Sequence, residues 1–189
     1  MDKKIISKKL NSITPKIVKW INKIERENGY GFCASEEYVT SLDATSLAVD
    51  LKNMLNIPIE KRKEKITNFF FSNIDKETGF FQEPFSEKLN TLDIERVREM
   101  SGTYLSFQVI GSLDILGCKL SHPFPFYSFL TKKNEMNKYL SKFPWEKSPW
   151  GAGGWVDSLA TILKKHVSSG FSEYELPLSE MYLWLEKKQ

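Results

Sequence analysis

Three carboxylates, Asp43, Glu99 and Asp157, fall close to the starts of three predicted helices. Two carboxyl groups brought together could act as general acid and base on a glycosidic bond. The partial positive charge of a helix N-terminus favours Asp and Glu at the same places without any catalytic role. Around them lie aromatic residues in glycine-containing loops: Tyr30 and Phe32, Phe80 and Phe81, and Trp145, Trp150 and Trp155. Such side chains suit stacking on sugar rings or holding an isoprenoid, and they equally suit anchoring a loop in a core. Gln82 and Glu83, just after Phe81, are polar companions of that set.

Other chemistries find little support. Gly151-Ala-Gly-Gly154 before a helix resembles an anion-binding turn, but no strand precedes it, no Lys-Ser/Thr pair follows, and Asp157 would stand where a phosphate sits. His122 adjoins a proline break, and His166, beside Lys164 and Lys165, is expected on an exposed helix face. No Cys or His spacing is that of a metal site, so neither a metal nor another cofactor is expected.

The elements that must position these residues are helices. Val156, Leu159, Ala160, Leu163 and Val167 form one apolar stripe, predicting a helix that begins at the glycines, with Asp157 in its first turn, and ends at Gly170. Residues 1–12 read as a polar lead-in. Thr14-Pro15 is a capping signal for a helix carrying Ile17, Trp20, Ile21 and Ile24. After the loop at Gly29–Phe32, Thr40-Ser41 predicts the cap of a second helix with Leu47, Leu51, Met54 and Leu55 on its apolar face. Pro58 precedes a helix bearing Ile66 and Phe69–Phe71, which stops at the turn Asp75–Gly79. A short helix at Leu92–Arg98 and a long apolar one from about Ser101 follow, the latter read as helix over strand because about fifteen residues exceed most strands. An irregular helical stretch from Phe126 to Leu140 and a last helix after Pro177 complete the chain.

The balance of 27 Lys and Arg against 24 Asp and Glu leaves a net charge of +3, too small and scattered for a nucleic-acid partner. Cys33 and Cys118 read as buried free thiols of a reducing compartment. No apolar run reaches the roughly 18 to 20 residues of a membrane span, and the start lacks a leader's apolar core, so a cytoplasmic protein is expected.

Helices thus begin after Pro15, Pro58, Pro123 (or Pro125) and Pro177, each followed by a loop and, save the last, a second helix. This is a degenerate repeat of helical hairpins, about 13–56, 58–118 and 123–169 with a half hairpin at 177–189, stacked in one all-α domain over 1–189. Each hairpin has an apolar face that only a neighbour can cover.

From Pro15 to Gln189, and most closely at Ile66–Phe81 (ITNFFFSNIDKETGFF), the pattern resembles the α/α toroids: terpenoid cyclases, protein prenyltransferase β-subunits and six-hairpin carbohydrate-active enzymes. The resemblance implies an inner and an outer ring of helices, with the aromatic loops and Asp43, Glu99 and Asp157 on one rim. The chain supplies three and a half hairpins where those proteins have five to seven. It lacks the Asp-x-Asp-Asp acid motif of the cyclases and the Cys, His and Asp set of the prenyltransferase zinc site. The expectation is an arc or partial toroid, non-catalytic or degenerate, whose aromatic rim binds a ligand of carbohydrate or isoprenoid kind or a protein completing the ring. A glycoside hydrolase or lyase using Asp157 and Asp43 is the alternative, and terpenoid or prenyl transfer comes third.

Overall fold

The computed structural model describes residues 3–33, 38–84 and 94–188, with side chains at 12–31, 40–84 and 102–188. The described chain is mostly helical, in the order α1 (Lys3–Ile24), β1 (Tyr30–Cys33), β2 (Tyr38–Ser41), α2 (Leu42–Met54), α3 (Glu60–Ser72) and α4 (Ile94–Ile115). A 3-10 helix (Pro125–Thr131), α5 (Glu135–Ser141), α6 (Pro149–Ser169), a short 3-10 turn (Ser172–Tyr174) and α7 (Glu175–Glu186) follow. No helix among the described residues is long and apolar enough to cross a membrane.

Ser41 is the N-cap of α2, its hydroxyl accepting from the Ala44 amide at 3.2 Å. The expected apolar face of that helix is corrected, however. Leu47 and Met54 are exposed, and the side turned to the core is Leu42, Ala48 and Val49 with Thr45. The short helix at Leu92–Arg98 and the apolar run after it are one helix, α4. Val109, Ile110 and Leu113 are fully buried there while Tyr104 is more than half exposed, so α4 is covered on all sides but the one that carries Tyr104.

Three starts and a loop differ from expectation, one being α7, which begins at Glu175 and not after Pro177. α1 begins at Lys3, so residues 3–12 are helical and Pro15 lies inside the helix. Proline's φ is already helical, and its cost there falls on one hydrogen bond and the carbonyl four residues back. α6 begins at Pro149, a proline in the first turn, which puts Gly151, Gly153 and Gly154 within the helix and Asp157 two turns in. The loop after Gly29 is an antiparallel hairpin pairing Tyr30 with Ser41 and Phe32 with Val39. A second, single bridge joins Ile74 to Phe81 around the turn Asp75–Gly79.

One apolar core runs through the helices, from Ile21 and Ile24 of α1 through Val49, Phe70, Leu113 and Leu159 to Met181 of α7. α4 packs against α2 on one flank and α6 on the other.

Candidate functional site

Hydrogen bonds fix how the three central helices run. The Asp43 carboxylate, in the first turn of α2, takes a hydrogen bond from the Gln108 side chain. One turn further along both helices, Ser112 Oγ donates to the Ser46 carbonyl at 3.3 Å. α2 and α4 therefore run parallel. At the far end Lys165 Nζ bonds Asp114 and the Cys118 carbonyl, each at 2.5 Å, and the Leu120 amide donates to Ser169 Oγ at 2.9 Å. The C-terminal ends of α4 and α6 thus meet, and all three helices start at the same end of the molecule.

Such a layer has two faces. One carries Leu42 and Val49, Val109 and Leu113, and Leu159 and Leu163 into the core. Along the other lie Asp43, Leu47, Asp50 and Met54 of α2, Tyr104 and Gly111 of α4, and Trp150, Asp157 and Lys164 of α6, all half-buried or exposed. Met54 is 76% and Trp150 93% exposed. The residues between the helices of this layer are small: Ser46, Ser112 and Ser158 are buried.

Partial burial pushes the Asp43 carboxyl above its ordinary range, against the opposing effect of Gln108, and burial alone pushes Asp50 up. Neither forms an ion pair among the described residues, and neither does Asp157, which is exposed. Gln108 Oε1 is buried without a partner among them. Since α4 separates α2 from α6, the helix axes bearing Asp43 and Asp157 stand two interhelical spacings apart, about 16–20 Å in all. The side chain of Glu99 lies outside the described residues, as does that of Phe32.

The aromatic set divides. Tyr30, Phe80 and Phe81 are buried core anchors, which corrects their expected place on an open rim. The hairpin and the bridge at Phe81 turn their rings inward, Phe80 against Phe124, Phe126 and Tyr127. Trp145 and Trp155 are half-buried, their indole N–H groups donating to the Leu140 carbonyl at 2.8 Å and Tyr139 Oη at 3.2 Å. Trp150 alone of the three stands free in solvent.

Glu83 reaches across the fold to α2. Its carboxylate accepts from Ser41 Oγ at 2.7 Å and from the Leu42 and Asp43 amides at 2.9 Å each, so it caps the helix start. Gln82 Nε2 donates to Asp75 at 2.8 Å. Asp75 is partly buried, which pushes its carboxyl up, but donors at Thr78, Glu77 and Gln82 outweigh that and hold it below the ordinary range. His122 is exposed beside Ser121. His166, by contrast, is buried, correcting its expected exposure.

A cluster that the sequence pattern did not reveal closes the C-terminal end of α1. Arg62 pairs with Glu25 and donates to the carbonyls of Arg26 and Glu27, and Lys52 stands 3.7 Å from Glu25. Both cations flank the buried Tyr30 ring, at 5.1 Å for Lys52 and 5.3 Å for Arg62. Two open clefts, about 410 and 390 Å³, lie beside Pro58, where Ile115 of α4 lines the first, and beside Pro123. Cys118 is half-buried and free, its sulfur 3.5 Å from Thr67 Oγ1.

Compared with protein-family models, with curated proteins and with solved structures, the chain matches none.

Proposed function

We propose that this chain is a non-catalytic or degenerate α/α-toroid-like domain, its hairpins set in an arc with α2, α4 and α6 as the inner helices and their uncovered face as a binding surface. The observation that carries this reading is that face itself: three parallel helices share a core side and leave Leu47, Met54, Tyr104 and Trp150 in solvent on the other. Apolar side chains gathered on one side, among Asp43, Asp50 and Asp157, are the mark of a surface that meets a partner or ligand. Against catalysis stands the spacing of the carboxylates. Glycosidic chemistry needs two at roughly 5–9.5 Å, and α4 keeps Asp43 and Asp157 apart.

Titration of the protein with soluble oligosaccharides and with a short isoprenoid diphosphate, followed by tryptophan fluorescence, tests it. Binding that shifts the emission of the native chain and not of Trp150→Phe supports the surface; a flat response to both, with hydrogen exchange on α2 and α6 also unchanged by any probe, ends the ligand form of the proposal.

The carbohydrate-active alternative has one observation in its favour: the raised Asp43 carboxyl has the character of an acid, on the same face as Asp157. Asp157→Asn and Asp43→Asn decide between the two. Asp157 is exposed and touches no described partner, so its replacement leaves stability within about 0.5 kcal/mol. Glycan turnover lost in either variant would establish the enzyme.

A further inference from the structure

The two ends of the helix succession carry opposite charge and matching apolar spacing. α1, tied to α2 through the Glu25–Lys52 pair, contains seven lysines and no acid. α7, packed on α5 and α6 at the other end, contains Glu175, Glu180 and Glu186, its only basic neighbours in the chain being Lys187 and Lys188 after its last turn. Each end also shows large apolar side chains to solvent: Ile13 and Trp20 on α1, Leu176, Tyr182 and Leu183 on α7, between 44% and 54% exposed. Ile13 and Trp20 lie seven residues apart, as do Leu176 and Leu183, so each pair spans two helical turns, about 10 Å. Lys16 and Lys19 are exposed beside the first pair, and Glu175 and Glu186 beside the second.

From this juxtaposition we infer that α1 of one copy docks on α7 of a second copy, the two chains closing head to tail into a ring dimer. The proposal rests on the arc reading above and names its partner. Because the two surfaces differ, one contact alone leaves a free end on each chain; a two-fold axis lets each α1 meet the other α7, so that both contacts form and no end remains. An open array is the other possibility for a head-to-tail surface, and the curvature of the helix layer decides between them. Complementary charge at the edges fixes the pairing and its direction, while the apolar pairs supply the buried area.

Sedimentation of the full chain over a range of concentrations, at low and at high salt, provides the test. The expected result is a monomer–dimer equilibrium that weakens as salt rises. Lys16→Glu with Lys19→Glu puts acid beside the apolar pair at both ends, and Glu175→Lys with Glu186→Lys puts base beside both. Each alone should dimerise at least about tenfold more weakly than the native chain, and an equimolar mixture of the two should recover the dimer. Circular dichroism of each variant shows that folding is intact. A native chain that stays monomeric at every concentration overturns the inference, as does a dimer indifferent to both charge reversals or an assembly that grows without limit. Scattering from the monomeric variant separates the two readings: a curved helical layer leaves the arc standing though the dimer fails, and a flat layer removes both.

Discussion

His166 holds the Phe124 amide, and Tyr174, stacked on its ring, holds the Phe124 carbonyl. Its Nε2 accepts from the Phe124 amide at 2.7 Å, its Nδ1 donates to the Ile162 carbonyl at 2.7 Å, and its ring stacks at 4.4 Å on Tyr174, whose hydroxyl donates to the Phe124 carbonyl. The segment between α4 and α5 is thereby pinned to α6 and to the turn before α7. Only a neutral imidazole with its proton on Nδ1 can make both bonds.

Stability should therefore fall in mild acid. Burial lowers the His166 pKa to about 4, against smaller opposing effects of the Ile162 bond and Glu173, while the unfolded chain titrates near 6.5. Between those values the unfolded state binds a proton that the folded state refuses. Stability is complete above pH 6.5 and is lost as pH falls toward 4, by on the order of 3 kcal/mol. Urea unfolding from pH 4.5 to 7.5 measures the slope. His166→Gln removes this part of it, and a slope unchanged in that variant would show that another group is responsible.

Glu83→Gln should cost about 1–2 kcal/mol through α2 alone. The carboxylate answers one hydroxyl and two amides at the helix start, and a neutral amide can accept at only one oxygen and loses the attraction to the helix dipole. Hydrogen exchange should rise in the first turn of α2 and stay the same in α6. Equal protection in both would place the capping elsewhere.

Asp43→Asn should leave stability unchanged or slightly raised at neutral pH. Burial raises the Asp43 pKa, so the folded state favours the proton more than the unfolded one does, and stability contributed by this group declines as pH climbs through the carboxylate range. Asparagine keeps a side-chain acceptor for Gln108 without the desolvated charge. A clear loss of stability at pH 7 would mean that the charge itself is needed by the fold.

How much of this could be read from residues alone depended on the reach of each interaction. The Ser41 cap was legible because its hydroxyl answers an amide three residues on. Helix rather than strand at Thr103–Leu116 followed from length. Glu83 gave no such sign of its role, since the amides it caps lie some forty residues earlier. Tyr30, Phe80 and Phe81 adjoin glycines that suggest exposed loops, and only tertiary partners bury them. His166 looked exposed because lysines precede it, yet Lys165 is itself buried on Asp114 and the Cys118 carbonyl.

Two glycines that the sequence makes look alike should respond oppositely to alanine. Gly79 has φ +79°, and a Cβ there would stand 2.7 Å from the Phe124 Cα, a backbone atom that cannot step aside. Gly79→Ala combines left-handed strain with that clash, and a loss of about 2–4 kcal/mol is expected. Gly154 sits inside α6 on its uncovered face, where a Cβ would meet nothing within 4 Å. Replacing it restores helix propensity and should add about 1 kcal/mol. Thermal unfolding of the two variants reads both signs. A destabilised Gly154→Ala would mean that α6 begins after the glycines and that Trp150 belongs to a loop, which would take the most exposed aromatic away from the proposed binding face.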